Sequence, residues 1–320
     1  MSLVAQRCPL GNLIVTFVVQ TNVRRGGTAL LLVALLGVAC GPSDTGLGLD
    51  ESGDPVAYST GASDLVLRIE TLPGGPLSFP EPETPLFSLY GDGRVVELEA
   101  AAPEASAVPR LSSSRVTEDA LLEILDAARE AGLLQGLDTG DPRIPDAGGL
   151  AVTLVVDGRR GVTTIIHPGD LTPEEEESLT TDQLSARQTV ESFLGAIFDL
   201  EGWLGADVRR EGPYEPDRVA VFAVQPEVAV DEEGPDPQVL PWPLGDLAEL
   251  GDPVADWPVI RCLVVSGADL DAVLDAAREA HRETRWETGS GPYLVWFRPL
   301  LPDEEGCHDL DLEPWRNAVP

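Results

Sequence analysis

After residue 63, short segments that alternate apolar and polar residues recur between glycine turns, and twice they lead into an amphipathic helix. That pattern predicts an α+β fold of two similar halves, each a set of antiparallel strands with a packed helix. In the first half, 63–170, Asp64–Glu70 reads as a strand, and Leu86–Tyr90 and Arg94–Leu98 read as a hairpin about Gly91-Asp92-Gly93. Thr117 caps a helix whose Leu121, Leu122, Leu125 and Ala128 recur at helical spacing, and a hairpin turns at Asp157-Gly158. The acidic stretch Asp170–Thr180 marks the expected boundary. In the second half, 171–320, a long helix from Thr181 carries apolar residues as far as Leu204, and Arg218–Val224 and Val259–Val265 read as strands. A Pro-rich surface loop spans 226–258, with at most one helical turn near Gly245–Leu250. Ser266 and Asp269 form a capping box for a second helix, and Arg285–Thr288 pairs with Tyr293–Arg298. Both helices contain Leu-Asp-Ala-Ala-Arg-Glu-Ala, at 125–131 and 274–280, either by coincidence of composition or by duplication.

The 320 residues include 55 acids and 21 basic residues, every one of them Arg. No acid precedes Cys40, whereas Arg7, Arg24 and Arg25 do, so the part from Cys40 onward holds 18 arginines against 55 acids, a formal −37. Such a surface repels polyanions, which excludes nucleic acid as a partner. The absence of Lys removes Schiff-base, Walker-lysine and Ser–Lys chemistry.

Arg24-Arg25 precedes the apolar run Ala29–Leu36, too short to cross a bilayer, which needs roughly 17 residues. With Gly37-Val38-Ala39-Cys40 it reads as a cleaved signal, residues 1–39, ending in a lipobox that places lipid on Cys40. The arginines read as n-region charge rather than a twin-arginine signal, whose remaining residues are missing. Residues 1–22 fit no signal plan, and Val23 is the expected start. A Gly/Ser/Asp/Pro stretch, 40–62, would tether a folded domain to the outer face of the membrane.

With Cys40 lipidated and Cys8 in the discarded segment, Cys262 and Cys307 remain. They read as one disulfide, worth about 4 kcal/mol for a 45-residue loop, or as a thiol pair for redox or metal work. His167, His281 and His308 have no zinc-ligand spacing, and G-x-S-x-G does not occur, so no catalytic residue, cofactor or metal set stands out. The tail Asp303–Glu313 is a solvated acidic segment or a calcium ligand set. Of the six Trp, Trp203 and Trp296 read as core, whereas Trp242 and Trp257 either pack the Pro-rich loop down or stack on a sugar or protein partner.

Phe87-Ser-Leu-Tyr-Gly-Asp-Gly-Arg-Val95, Pro213-Tyr-Glu-Pro-Asp-Arg-Val219, Arg261-Cys262 and Arg298-Pro-Leu-Leu-Pro-Asp-Glu-Glu-Gly-Cys307 resemble a set of uncharacterised exported lipoproteins of high-GC Gram-positive bacteria. The resemblance runs from about Asp64 to Cys307 and implies location and the pairing of Cys262 with Cys307, with no activity. The first half also resembles a secreted bacterial domain of unknown function with a Tyr-x-Asp-Gly-x-Val hairpin. The expected function is a membrane-anchored, extracytoplasmic, non-catalytic module that binds a protein or glycan partner; the alternative is an envelope hydrolase using paired Asp/Glu carboxylates.

Overall fold

A computed structural model describes residues 4–7, 13–16, 57–75, 82–100, 106–225, 237–255 and 257–310. The signal's apolar run, Cys40 and the tether up to residue 56 lie outside these, as do part of the Pro-rich loop and the tail past residue 310. The chain divides into two units, Met1–Gly53 and Asp54–Pro320. In the first, β1 (Val4–Arg7) and β2 (Leu13–Thr16) pair antiparallel.

The second unit opens with β3 (Leu65–Leu72), β4 (Phe87–Tyr90), β5 (Arg94–Leu98) and β6 (Leu111–Val116). The β4–β5 turn depends on Gly93, which has φ 81 and approaches Val116 so closely that a Cβ would sit 2.5 Å from its carbonyl oxygen. Helix α1 (Glu118–Glu130) starts at Thr117, whose hydroxyl accepts from the Ala120 amide at 3.3 Å, and buries Leu121, Ile124, Leu125 and Ala128. Strands β7 (Gly149–Val156) and β8 (Arg159–Ile166) turn at Asp157-Gly158, both at positive φ, as a tight hairpin requires.

The short helix α2 (Pro173–Glu176) and α3 (Thr181–Ile197) both begin with capping boxes, Thr172 with Glu175 and Thr180 with Gln183. The long helix expected to reach Leu204 is broken at Phe198. Asp199 caps a new helix, α4 (Leu200–Leu204), by accepting from the Gly202 amide at 3.2 Å. The apolar stripe survives the break: Val190, Phe193, Leu194, Ile197, Leu200 and Leu204 share one core with α1 and the first sheet. Strand β9 (Val208–Pro213) then pairs with β6 and completes a wholly antiparallel sheet in the order β8-β7-β3-β4-β5-β6-β9. The boundary expected near 170 therefore does not separate the sheets. Residues 171–213 belong to the first sheet and its helical layer, because the α3 stripe finds its apolar partner there, and the handover falls between Pro213 and Arg218.

The second sheet contains β10 (Arg218–Val224), β11 (Val239–Pro241), β12 (Asp252–Val254), β13 (Trp257–Ser266), β14 (Arg285–Thr288) and β15 (Gly291–Pro299), in the order β11-β14-β15-β10-β13-β12. Only β11 runs parallel to its neighbour. Helix α5 (Gly267–Ala277) covers one face with Leu270, Val273 and Ala277. The expected Ser266–Asp269 capping box is absent: Ser266 still pairs with Arg218 in β13, the chain turns at Gly267 (φ 58), and the serine makes no cap bond. The shared heptapeptide buries equivalent alanines, Ala128 and Ala277. The strand orders differ, however: β7–β8 joins its sheet through its first strand, and β14–β15 through its second.

The Pro-rich segment is less superficial than its composition suggests. Leu247 and Trp242 are buried, and β11 and β12 tie the segment to the sheet. Beyond β15, residues 300–310 lie between the faces that the helices leave bare. Leu300 packs with Phe222, Ile260 and Cys262 of the second sheet, and Leu301 with Tyr90, Val96 and Leu111 of the first. The Cys262–Cys307 disulfide, with Cα atoms 6.1 Å apart, pins this segment to β13.

Candidate binding cleft

Strand alternation makes the site. On β3, Leu67 and Ile69 face α1, so Arg68 and Glu70 face the opposite side, where Arg68 pairs in register with Ser88 on one strand and Thr153 on the other. Arg68 donates through Nε to Ser88 at 3.2 Å and through Nη2 to Tyr90 at 3.3 Å and Asp303 at 2.7 Å. The Tyr90 hydroxyl also donates to Asp303, at 2.8 Å. From the second sheet, Arg298 donates through Nε to the Glu83 carbonyl and through Nη2 to Glu304, each at 2.7 Å, and it also reaches the Pro299 carbonyl. The second oxygen of Glu304 accepts from the Leu301 amide at 2.8 Å. Two guanidiniums and two carboxylates thus join both sheets to the segment between them. Arg298 is 2% exposed and Glu304 4%.

These charges are stable where they stand. Burial opposes the Arg68 charge, but Asp303, Tyr90 and Glu304 overcome it, and its pKa rises above the ordinary value. Burial pushes the Tyr90 phenol up, and Asp303 adds to this against the pull of Arg68, so the phenol stays a donor.

Above this floor opens a cleft of about 550 Å³. Its walls include Thr153, Arg160 and Val162 from the β7–β8 hairpin, Glu70 from β3, and Leu310. Burial raises the Glu70 pKa against Arg68, Arg298 and Arg160, and no side chain among the described residues lies within hydrogen-bonding or ion-pairing distance of its carboxyl. Burial also raises the pKa of the Glu83 carboxyl, against the pull of Arg298. A second cleft of about 480 Å³, sharing Pro82 and Glu83, is more apolar, lined by Leu86, Leu98, Val108 and Trp296. Next to it the Thr84 hydroxyl is buried without a partner among the described residues.

Paired-carboxylate hydrolysis needs two carboxyls facing each other across roughly 5–10 Å, free to give and take protons. Asp303 and Glu304 are held by guanidiniums, which leaves Glu70 and Glu83, both on the cleft wall and both with pKa values raised by burial, as the carboxyls a ligand would meet. The arrangement suits recognition: hydrogen-bonding groups on rigid strands at the wall of a concave site.

Cys262 and Cys307 are bonded as the sequence predicts, so they form no free thiol pair. Cys40 lies outside the described residues. His167, His281 and His308 do not meet, and no group of metal-ligating side chains occurs among the described residues. Instead of a solvated tail or calcium ligands, Asp303 and Glu304 form the buried ion pairs, and Asp309 accepts from the Glu305 and Gly306 amides. The stacking role considered for Trp242 does not hold. Trp242, 6% exposed, meets Trp286 edge to face at 5.5 Å and stacks on Phe297 at 6.4 Å, and Trp257 packs against the cluster around Cys262. Trp286, unassigned in the sequence reading, is completely buried. Sequence reasoning missed Arg68, Glu70, Arg160 and Arg298; the one available signal was two charges alternating with Leu67 and Ile69 on an otherwise apolar strand. Among the described residues no helix is long and apolar enough to cross a membrane. No protein-family model matches the chain, and no curated protein is similar enough to match it.

Proposed function

We propose that the chain is an exported lipoprotein, lipidated at Cys40 and held at the outer face of the cell membrane, where the Asp54–Pro320 unit binds a ligand without transforming it. The anchor rests on the charged n-region, the short apolar run, the lipobox, the tether, and the resemblance to exported lipoproteins. The binding role rests on one observation: a cleft of about 550 Å³ whose floor carboxylates are spent on guanidiniums, while groups on its strand walls stay open to a ligand. A protein or glycan of the cell envelope is the expected source of that ligand.

Two measurements test this. Cell fractionation of the full chain and of Cys40→Ser should move the variant from the membrane to the soluble fraction; a variant that stays on the membrane overturns the anchor. Low-molecular-weight envelope extract should raise the Tm of the full chain in detergent, and Val162→Trp should abolish that rise. Val162 is 39% exposed at the cleft wall, so the larger side chain fills the cleft without disturbing the core. A rise that survives Val162→Trp, or no rise with either protein, overturns the cleft as the binding site.

A further inference from the structure

The cleft wall has one guanidinium, Arg160, and two carboxyls, Glu70 and Glu83, that no side chain among the described residues pairs. Arg160 lines the cleft from β8, exposed, and its guanidinium makes no hydrogen bond or ion pair among the described residues. Glu70 lines it from β3 and makes none through its carboxyl. The remaining charges on the wall are engaged: Arg68 with Asp303, Arg298 with Glu304, and Asp309 with two amides. Glu83 faces the cleft under the field of Arg298.

The sheet explains why Glu70 and Arg160 do not satisfy each other. Glu70 pairs with Ala151, which pairs with Thr164, and Arg160 pairs with Val155. The two residues are therefore two strands apart and offset by four residues along the strand. With about 4.8 Å between strands and about 3.3 Å per residue, their Cα atoms stand about 16 Å apart. Arg160, Val162 and Thr164 alternate onto the same face as Glu70, so both side chains point into the cleft. Arg160 acts on Glu70 through space, yet the two form no ion pair. Thr153, between them on β7, puts a hydroxyl on the same wall with no partner among the described residues.

We infer that the cleft takes a zwitterion of dipeptide length, its ammonium on Glu70 and its carboxylate on Arg160. Two extended residues separate an amino from a carboxyl terminus by about 7 Å, and a bond of about 2.8 Å at each end extends the reach to about 13 Å, which matches side chains standing on one sheet face from Cα atoms about 16 Å apart. A simple anion meets a chain with 55 acids and leaves Glu70 unanswered, and a simple cation leaves Arg160 unanswered. A zwitterion answers both, and Thr153 can hydrogen-bond the peptide group between them. The assignment rests on the cleft being the binding site proposed above.

The test is calorimetric titration of the full chain in detergent with Gly-Gly, Ala-Ala and Leu-Ala, and with N-acetyl-Ala-Ala, Ala-Ala-amide and the neutral disaccharide cellobiose. At least one free dipeptide should bind, and removing either terminal charge from Ala-Ala should weaken its binding at least tenfold. Glu70→Gln should weaken Ala-Ala tenfold and leave the N-acetyl form unchanged; Arg160→Met should do the same with the amide. That crossed pattern reports recognition of each terminus, which a folding defect does not reproduce. No binding of any dipeptide at millimolar concentration, or cellobiose binding as tightly as Ala-Ala, overturns the zwitterion. If the extract-induced rise in Tm is still abolished by Val162→Trp, only the ligand class falls; if that too is missing, the cleft falls with it.

Discussion

The Arg298–Glu304 pair gives the sharpest stability prediction. The side chains are 3% and 5% exposed, their charged atoms are 2.7 Å apart, and the other Glu304 oxygen holds the Leu301 amide. Breaking a buried pair from one side leaves the surviving charge desolvated, which costs about 3–5 kcal/mol. Glu304→Gln keeps the size and one acceptor oxygen but puts an amide N–H toward either the Arg298 guanidinium or the Leu301 amide. The expected loss is therefore about 3 kcal/mol, which lowers Tm by about 6–12 °C for a domain of this size. Arg298→Met should cost a similar amount, because it strands the Glu83 and Pro299 carbonyls as well as Glu304. Arg298→Met/Glu304→Gln removes both charges, so its cost should fall short of the sum of the single variants by about 2 kcal/mol. Urea denaturation of the four proteins measures this. Additivity within about 0.5 kcal/mol would mean that the two side chains do not interact, and the account of the floor as a charge lock would be wrong.

Four further outcomes follow from the same geometry. Reduction, or Cys262→Ser with Cys307→Ser, frees a 45-residue loop and should cost up to about 4 kcal/mol; an unchanged urea midpoint would show that residues 300–310 hold without the bond. Burial raises the Glu70 pKa above its unfolded value of 4.5, so ionised Glu70 destabilises the fold, and the penalty grows as pH climbs from 4.5 through the raised pKa. Glu70→Gln should accordingly stabilise the protein at pH 7, with the gain vanishing below pH 4.5; a gain that is constant with pH contradicts the burial argument. Trp242→Ala should cost about 3–5 kcal/mol through the cavity it opens against Trp286 and Phe297, and a loss under about 1 kcal/mol would show that the segment is a loose surface loop after all. Thr117→Ala should cost about 1 kcal/mol by uncapping α1, checked by thermal unfolding, where no change refutes the cap.

Local chemistry was legible in the sequence. Thr117 with Glu118 and Asp119 announces the start of α1, Asp157-Gly158 fixes a hairpin, and the apolar period of α3 predicts its buried face. What the sequence could not show was which surface each face would meet. The α3 stripe is as compatible with a second core as with the first, and the choice is made by tertiary packing beside α1. Asp199 looks like an ordinary helix acid until its carboxylate is seen capping α4. The Pro-rich segment reads as loop because proline and glycine report the backbone, while burial of Trp242 is decided by Trp286, more than forty residues away. The cleft was the least legible feature of all, since its floor joins Arg68 to Asp303 across 235 positions.

The all-arginine composition, which first served to exclude lysine chemistry, also explains how so acidic a chain keeps charges inside. Arg68, Arg187 and Arg298 are all buried. Each spreads its donors over several acceptors: Arg187 holds the carbonyls of Ile166 and His167 at the end of β8, and Arg298 holds two carbonyls and a carboxylate. A planar guanidinium can be desolvated when its fork is filled in this way, whereas a lysine ammonium presents a compact, strongly hydrated charge and has no such fork. Arg160 is the opposite case: exposed at the cleft wall, its guanidinium makes no bond among the described residues, so its fork is free for the carboxylate of the ligand inferred above.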